Sequence, residues 1–316
     1  MSDSSSVHES KCSIFAAVGI KFDESKHRPK KAQAKITAAD SEFRFPPPTQ
    51  EELEGRVRTI LHESGVDWDI LGPGLRRHQS IILGSTVHAV MFRPRYRRAG
   101  VDIGTPPTHE FSMADLIQTE LKFTESAEPV NNYPGYAGFV RVRRFHKDHH
   151  SIYLIVVANE NAATIIFNLY STMDMNFVSG YGLFCAYPEL TLNKLSYVNP
   201  SARDTSTDGS DFRRLAANVR RKGFTHNIAL FEHVLYRNHV CGSSRCCPNT
   251  LRSMHDSDSL FVSFASTLTE CAGPTLYDGI HTVIWSLGGP PCIGEGLVNG
   301  LVAISVPVYQ HQAAEI

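Results

Sequence analysis

The sequence predicts an α+β fold in which an antiparallel or mixed β-sheet comes first and a helical region follows. Strand patterns rich in β-branched and aromatic residues dominate residues 138–183. From residue 212 onwards, apolar residues instead recur every three or four positions, which is typical of helices. The composition, with 42% apolar and 20% charged residues, is that of a globular protein with a sizeable core.

The N-terminal part predicts a weakly ordered arm followed by a short helix. The arm is rich in serine, then in basic residues, and ends in three consecutive prolines at 46–48. Thr49 and Glu52 have the spacing of a capping box, so we expect a helix that begins after Thr49 and ends near Gly65. The sequence Gly72-Pro73-Gly74 predicts a turn.

The central part predicts most of the sheet. Residues 80–92 have the apolar character of one or two strands, and Ser112 is the expected cap of a second helix. Four further strands are expected over residues 138–145, 151–157, 163–169 and 176–183. Asn159-Glu160-Asn161 has the composition of a turn between the middle two.

The C-terminal part predicts three helices. The first carries Phe212 and is broken at Gly223, and the second covers residues 228–235. The third is a buried helix over residues 260–272, with apolar residues at every fourth position and a Gly-Pro stop after it. Glu270 is the one charged residue within it, and burying a carboxylate is unfavourable unless a partner or a reaction uses it.

Charge and cysteine content limit the classes of function. There are 31 basic and 32 acidic residues, so the formal net charge of −1 creates no global field that would attract nucleic acid. Local basic clusters occur at residues 93–98, 141–147 and 213–222, and three such clusters that converged would form a phosphate-binding surface. The seven cysteines are an odd number, which favours reduced thiols. With neither a signal-peptide pattern nor an apolar run of membrane-spanning length, we expect a cytoplasmic protein without membrane contact. The sequence leaves the oligomeric state open, and a monomer is favoured.

One loop has the residue types of a zinc site. His239, Cys241, Cys246 and His255 supply nitrogen and sulfur ligands within a short stretch. Their spacing matches no common zinc finger, so a plain loop with free thiols remains the other interpretation.

The chain has an apolar hairpin over residues 163–181 and expected helices over residues 111–121, 209–220, 227–236 and 260–278. Taken in chain order, these segments resemble the ribosome-inactivating proteins. Phe177-Val-Ser-Gly-Tyr181 stands where that family has a Tyr-Val-Val-Gly-Tyr type of segment at its central hairpin, here residues 163–181. Its helices are matched by residues 111–121, 209–220, 227–236 and 260–278, the last being the active-site helix. The resemblance divides the chain into an extension (1–85), a ribosome-inactivating-protein-like domain (roughly 86–310) and a tail (311–316).

This resemblance implies an rRNA N-glycosylase that needs no cofactor. The family releases adenine from large-subunit ribosomal RNA, so the implied partner is the ribosome, and the implied role is a toxin or plant-defence protein that inhibits translation. In that family two Tyr rings hold the extruded base, an Arg assists the departing adenine, and a Glu stabilises the oxocarbenium-like ribose.

Carried over position by position, the catalytic constellation is incomplete. Glu270 is retained, but Gly273 stands at the catalytic Arg position. Phe177 and Phe212 stand at the two Tyr positions, although both are also suited to the core. The resemblance adds Tyr181 as a substrate-binding residue and, as candidate RNA contacts, Arg213, Arg214, Arg220 and Arg221. Removing a charge aimed at a transition state slows a reaction by roughly a hundredfold to a thousandfold, so we expect weak or absent depurination.

Two alternatives remain open. The first is a non-catalytic module that binds RNA or a nucleotide through an aromatic pair and a basic rim, with an affinity that falls as salt rises. The second is an interaction domain of a different α+β fold, stabilised by zinc at the Cys/His loop.

Overall fold

A mixed eight-stranded β-sheet forms the centre of the protein. The computed structural model describes residues 46–92, 100–128, 130, 138–199, 210–227, 250–254, 256–264, 281–287 and 303–307. Within the large sheet the strand order is β11-β7-β6-β1-β2-β5-β4-β3, and the β2–β5 pair is parallel whereas the other neighbours run antiparallel. Smaller sheets follow the orders β10-β12-β13 and β8-β9.

Helices and strands are interspersed along the chain. The strands of the large sheet are β1 (Ile81–Leu83), β2 (Val101–Thr105), β3 (Thr124–Glu125), β4 (Phe139–Lys147), β5 (His150–Val157), β6 (Asn176–Val178), β7 (Gly182–Cys185) and β11 (Leu260–Ser263). The other strands are β8 (Leu195–Tyr197), β9 (Thr225–Asn227), β10 (Arg252–Ser253), β12 (His281–Trp285) and β13 (Ala303–Pro307). The α-helices are α1 (Gln50–His62), α2 (Trp68–Arg77), α3 (Ser85–Phe92), α4 (Glu110–Thr119), α5 (Pro188–Leu192) and α6 (Ser210–Arg221).

The two faces of the sheet are covered by different elements. Helices α1 to α4 pack on the first face, where Ile82, Ile103 and Leu154 belong to their core cluster. The second face is covered around Leu83 and Ile155 by a 3-10 helix, Ala162–Asn168, and by apolar residues of β12. Successive strand residues point to opposite faces, which explains why neighbours such as Ile82 and Leu83 enter different clusters.

The predicted boundary at residue 85 is wrong. Strand β1 lies in the middle of the large sheet between β6 and β2, so the chain before residue 85 supplies a central strand. Leu53 and Leu61 of α1 and Leu71 of α2 are fully buried in the same core as Ile103. Removing these elements would expose the first face of the sheet, and residues 50–85 are therefore part of the domain. The tail 311–316 lies outside the described residues.

The predicted start of α1 is confirmed. The Glu52 N–H donates to the Thr49 side chain, and the Glu52 carboxylate accepts from the Thr49 N–H, which together make the expected capping box. The predicted turn at Gly72-Pro73-Gly74 is wrong, because these residues lie inside α2. A side chain at position 74 would meet Leu116 at 2.4 Å, so this glycine serves the close packing of α2 against α4.

One predicted strand of the central hairpin has a different secondary structure. Residues 163–169 do not form a strand, since Ala162–Asn168 is a 3-10 helix whose first turn is capped by the Asn161 side chain accepting from the Ala163 N–H at 2.9 Å. The segment that resembles the family's hairpin therefore begins with a helical turn. Its second half does form a hairpin, in which β6 pairs with β7.

The predicted buried helix does not begin at Leu260. Leu260–Ser263 is strand β11, paired antiparallel with β7 so that Phe261 lies opposite Phe184. A short apolar run is compatible with a helix or a strand, and pairing at the edge of the sheet satisfies its backbone groups as a strand. Residues 265–280 lie outside the described residues.

The coarser prediction of an α+β protein with a mixed sheet is confirmed, but its chain order is not. Helices α1 to α3 precede most of the sheet, so the chain does not divide into strands first and helices afterwards. None of the helices in the described part of the chain has the length and apolar character needed to cross a membrane. Cys185 is a free buried thiol in β7, and burial raises its pKa to about 12, so it stays protonated.

Candidate functional site

A sharp turn joins β1 to α3 at Gly84. This glycine has a φ of +71°, in the left-handed region that glycine adopts without strain. A Cβ at this position would lie 2.6 Å from Oδ2 of Asp102, so the carboxylate lies directly against the turn. The His88 N–H donates to the Gly84 carbonyl oxygen, and the N–H groups of residues 85–87 therefore have no acceptor within the helix.

Three polar residues form a row across the sheet beside this turn. In the strand register, Leu83 of β1 pairs with Asp102 of β2, Asp102 with Tyr153 of β5, and Tyr153 with Arg144 of β4. Directly paired residues point to the same face, and Leu83 belongs to the core of the second face. Asp102, Tyr153 and Arg144 thus share that face, and we call them the Asp102 row.

The Asp102 row reaches the solvent. Asp102 and Tyr153 are half-buried, and Arg144 is exposed. The Arg144 guanidinium carbon lies 6.0 Å from the centre of the Tyr153 ring, at the outer limit of a cation–π contact. A Cβ at Gly100 would lie 3.0 Å from the Tyr153 ring, so the absence of a side chain at Gly100 lets the chain pass close beside it.

The arrangement has groups suited to bind a phosphate, a base and a divalent cation. The N-terminus of α3 and the Arg144 guanidinium are suited to phosphate oxygens. A tyrosine ring offers a surface on which a base can stack. The Asp102 carboxylate is a ligand that Mg²⁺ prefers, and Mg²⁺ is often held by one or two carboxylates together with the phosphates of a nucleotide.

A buried histidine fixes the position of α3. His88 is 1% exposed, and its Nε2–H donates to the Met173 carbonyl oxygen at 2.7 Å. Burial, followed by the positive charge of Lys222, lowers the pKa of His88 to about 3, so the imidazole is neutral at neutral pH. Its 3.4 Å contact with Asp174 is therefore not an ion pair, and Lys222, also at 3.4 Å, is the cation that neutralises Asp174.

The catalytic and zinc predictions fall outside the described residues. Glu270 and Gly273 belong to residues 265–280, and none of the zinc candidates, His239, Cys241, Cys246 and His255, is described. Among the described residues, no three His, Cys, Asp or Glu side chains come together in a way that could hold a metal ion.

The two hairpin aromatics have different environments. Phe177 is 0% exposed, and its ring stacks on Phe184 with a centroid distance of 5.0 Å. It is part of the second-face core, so a base could reach the ring only if the core opened. Tyr181 is half-buried in the turn after β6, where its N–H donates to the Ser179 hydroxyl and its carbonyl oxygen accepts from the Phe264 N–H.

Helix α6 carries the candidate RNA contacts. Arg214, Arg220 and Arg221 are exposed, whereas Ala216 and Val219 are buried, which is the pattern of a helix with one solvated face. The backbone of Phe212 and Arg213 lies in the same helix. Among the candidate RNA contacts, Arg214, Arg220 and Arg221 thus face solvent.

The sequence does not predict the Asp102 row, because the apolar residues 80–92 favour strands and hide the turn at Gly84. Gly84-Ser85 within that apolar run is the available signal, since glycine after a short strand often precedes a helix that binds an anion. The alignment of Asp102, Tyr153 and Arg144 has no sequence signal, because it depends on the register of three strands.

Comparison of the chain with protein-family models, with characterised proteins and with solved structures finds no match. Its function is therefore inferred from its own residues.

Proposed function

We propose that the protein binds a nucleotide together with a divalent cation at the Asp102 row. The observation that carries this proposal is the register that aligns Asp102, Tyr153 and Arg144 on one face beside the N-terminus of α3. Nucleotide binding is one of the functions that the sequence leaves open, and the Asp102 row would perform it with residues other than the predicted aromatic pair and basic rim.

The charges of the row explain why a cation should accompany the nucleotide. The Asp102 carboxylate lies against the turn that begins α3, where it would repel a phosphate bound alone. A Mg²⁺ ion between the carboxylate and the phosphates reverses that repulsion, while Arg144 and the N–H groups of α3 hold the remaining phosphate oxygens. The base then lies near Tyr153.

Calorimetric titration with ATP and GTP tests this proposal, each with Mg²⁺ and each with EDTA. We expect binding that requires Mg²⁺ and that weakens by about tenfold to a hundredfold in Asp102→Asn, because an interaction with a charged group contributes roughly 1.5–3 kcal/mol. Asparagine has nearly the same size and shape as aspartate and still accepts hydrogen bonds, so this variant should keep its fold and its melting temperature.

Arg144→Gln should weaken binding about tenfold, and the matched control is Arg214→Gln, which removes an exposed arginine of α6 outside the row. Binding that is indifferent to EDTA and unchanged in Asp102→Asn would contradict the proposed site.

The glycosylase activity implied by the resemblance has its own test. We expect ribosomes incubated with the protein to release little or no adenine, because Gly273 stands where the family has its catalytic Arg. Adenine release is measured directly on intact ribosomes, with Glu270→Ala as the comparison. Robust release by the unmodified protein that disappears in Glu270→Ala would establish the glycosylase and overturn our interpretation of Gly273.

A further inference from the structure

A groove between the end of α2 and α4 borders an exposed aromatic ring. These helices pack on the first face of the sheet, whereas the Asp102 row lies on the second face. Phe111 is 72% exposed although it lies in the first turn of α4, where Met113 and Ala114 are buried. It borders a groove of about 400 Å³, which is within the range of small-ligand sites, roughly 300–1,000 Å³. A single exposed apolar residue needs no explanation, but one that borders a groove among fixed charges is suited to a ligand.

Two arginines are held in place beside the ring. The guanidinium carbons of Arg141 and Arg143 lie 5.9 and 6.0 Å from the centre of the Phe111 ring. Both pair with Glu110, which is 2% exposed, and Arg143 also donates two hydrogen bonds of 2.6 Å to Glu125. These pairs hold the arginines in position, so little conformational freedom is lost when a ligand binds next to Phe111.

The groove is lined by hydrogen-bond donors and by carboxylates. Arg77 and His78, at the end of α2, line it together with Asp115 of α4 and Glu120, which follows α4. Phe111 and Asp115 are four residues apart on one helix, so the carboxylate lies on the same side of α4 as the ring. An ionised carboxylate only accepts hydrogen bonds, and a ligand group beside it must therefore donate.

We propose that this Phe111 groove binds a single-stranded nucleic acid through one unstacked base that carries an exocyclic amino group. The base stacks on Phe111, its amino group donates to Asp115, and a neighbouring phosphate lies against Arg77. Adenine, cytosine and guanine have such a group, whereas uracil presents a carbonyl oxygen that the Asp115 carboxylate repels. The groove shares no residue with the Asp102 row, so this inference does not rest on the nucleotide site.

Fluorescence anisotropy with short labelled RNA strands of cytidine, adenosine or uridine tests the inference. We expect the cytidine and adenosine strands to bind about tenfold more tightly than the uridine strand, which corresponds to about 1.4 kcal/mol of discrimination. Phe111→Ala should weaken binding of the cytidine strand by roughly fivefold to a hundredfold, since base stacking contributes ~1–3 kcal/mol. Phe111→Tyr should bind like the unmodified protein.

Two further variants make the result specific. The variant Asp115→Asn replaces an acceptor by an amide that also donates, so it should reduce or remove the preference against uridine. Val140→Ala is the matched control, because Val140 is 62% exposed and does not line the groove. Asp102→Asn should leave strand binding unchanged, and Phe111→Ala should leave the binding of Mg²⁺ nucleotides unchanged.

Two outcomes would overturn this inference, and neither bears on the proposed nucleotide site. Absence of binding by all three strands, or equal binding of all three by the unmodified protein, rules out recognition of an amino group. A preference that persists unchanged in Phe111→Ala shows that it arises outside the groove.

Discussion

Replacing Phe177 with alanine is expected to lower the free energy of unfolding by about 3–5 kcal/mol, the range found for buried phenylalanines. The Phe177 ring is 0% exposed and stacks on Phe184, whose own ring meets Trp285 edge to face at 6.4 Å. Alanine would leave a cavity between β6 and β7 that these rings cannot fill without moving. Urea denaturation of the unmodified protein and the variant measures the difference.

Phe111→Ala is the matched control for this prediction, because it removes the same side chain from an exposed position. We expect it to change the free energy of unfolding by less than about 0.5 kcal/mol. The comparison also separates the two interpretations of Phe177. If Phe177→Ala left stability unchanged but abolished binding of RNA, Phe177 would act on substrate as the family resemblance implies.

Acid is expected to destabilise the protein through His88 by up to about 5 kcal/mol, because each unit of difference between its folded and unfolded pKa corresponds to about 1.4 kcal/mol. The pKa of His88 is about 3 in the folded protein, against an ordinary value of 6.5, chiefly because the ring is buried and secondly because Lys222 is near. Between these values the unfolded chain binds a proton at His88 that the folded chain does not. Stability from this group is therefore complete above pH 6.5 and is lost as the pH falls towards 3.

Urea denaturation at several pH values between 7 and 4 measures this effect. His88→Gln keeps a neutral donor near the Met173 carbonyl oxygen but cannot titrate, so its stability should fall less steeply with acid. His62→Gln, at an exposed position in the last turn of α1, should follow the unmodified protein. Equal slopes for His88→Gln and the unmodified protein would show that other groups cause the acid sensitivity.

Local sequence signals predicted the elements whose structure is decided locally. The capping box at Thr49 determines where α1 begins, because the hydrogen bonds lie within one turn. Runs rich in β-branched and aromatic residues predict β4 and β5, and the amphipathic spacing after residue 210 predicts α6. Gly223, which has a φ of +79°, ends the helical segment as expected of a glycine.

Several wrong predictions concern apolar runs, in which periodicity alone does not separate helix from strand. Residues 80–92 contain a strand, a left-handed glycine and a helix within one apolar stretch. Leu260–Ser263 has the spacing expected at the start of a buried helix, yet it pairs with β7. In both cases the decisive hydrogen bonds come from strands distant in sequence.

The candidate functional residues show the same difference between local signals and long-range pairing. The sequence by itself determined the α+β class, the first helix cap, the amphipathic helix α6 and the basic cluster at residues 141–147. Only the tertiary structure decided that Phe177 belongs to the core, that Arg141 and Arg143 lie beside Phe111, and that Arg144 aligns with Asp102. The physical reason is that helix caps and periodicity depend on neighbours within a few residues, whereas strand register and face are set by pairing between distant segments.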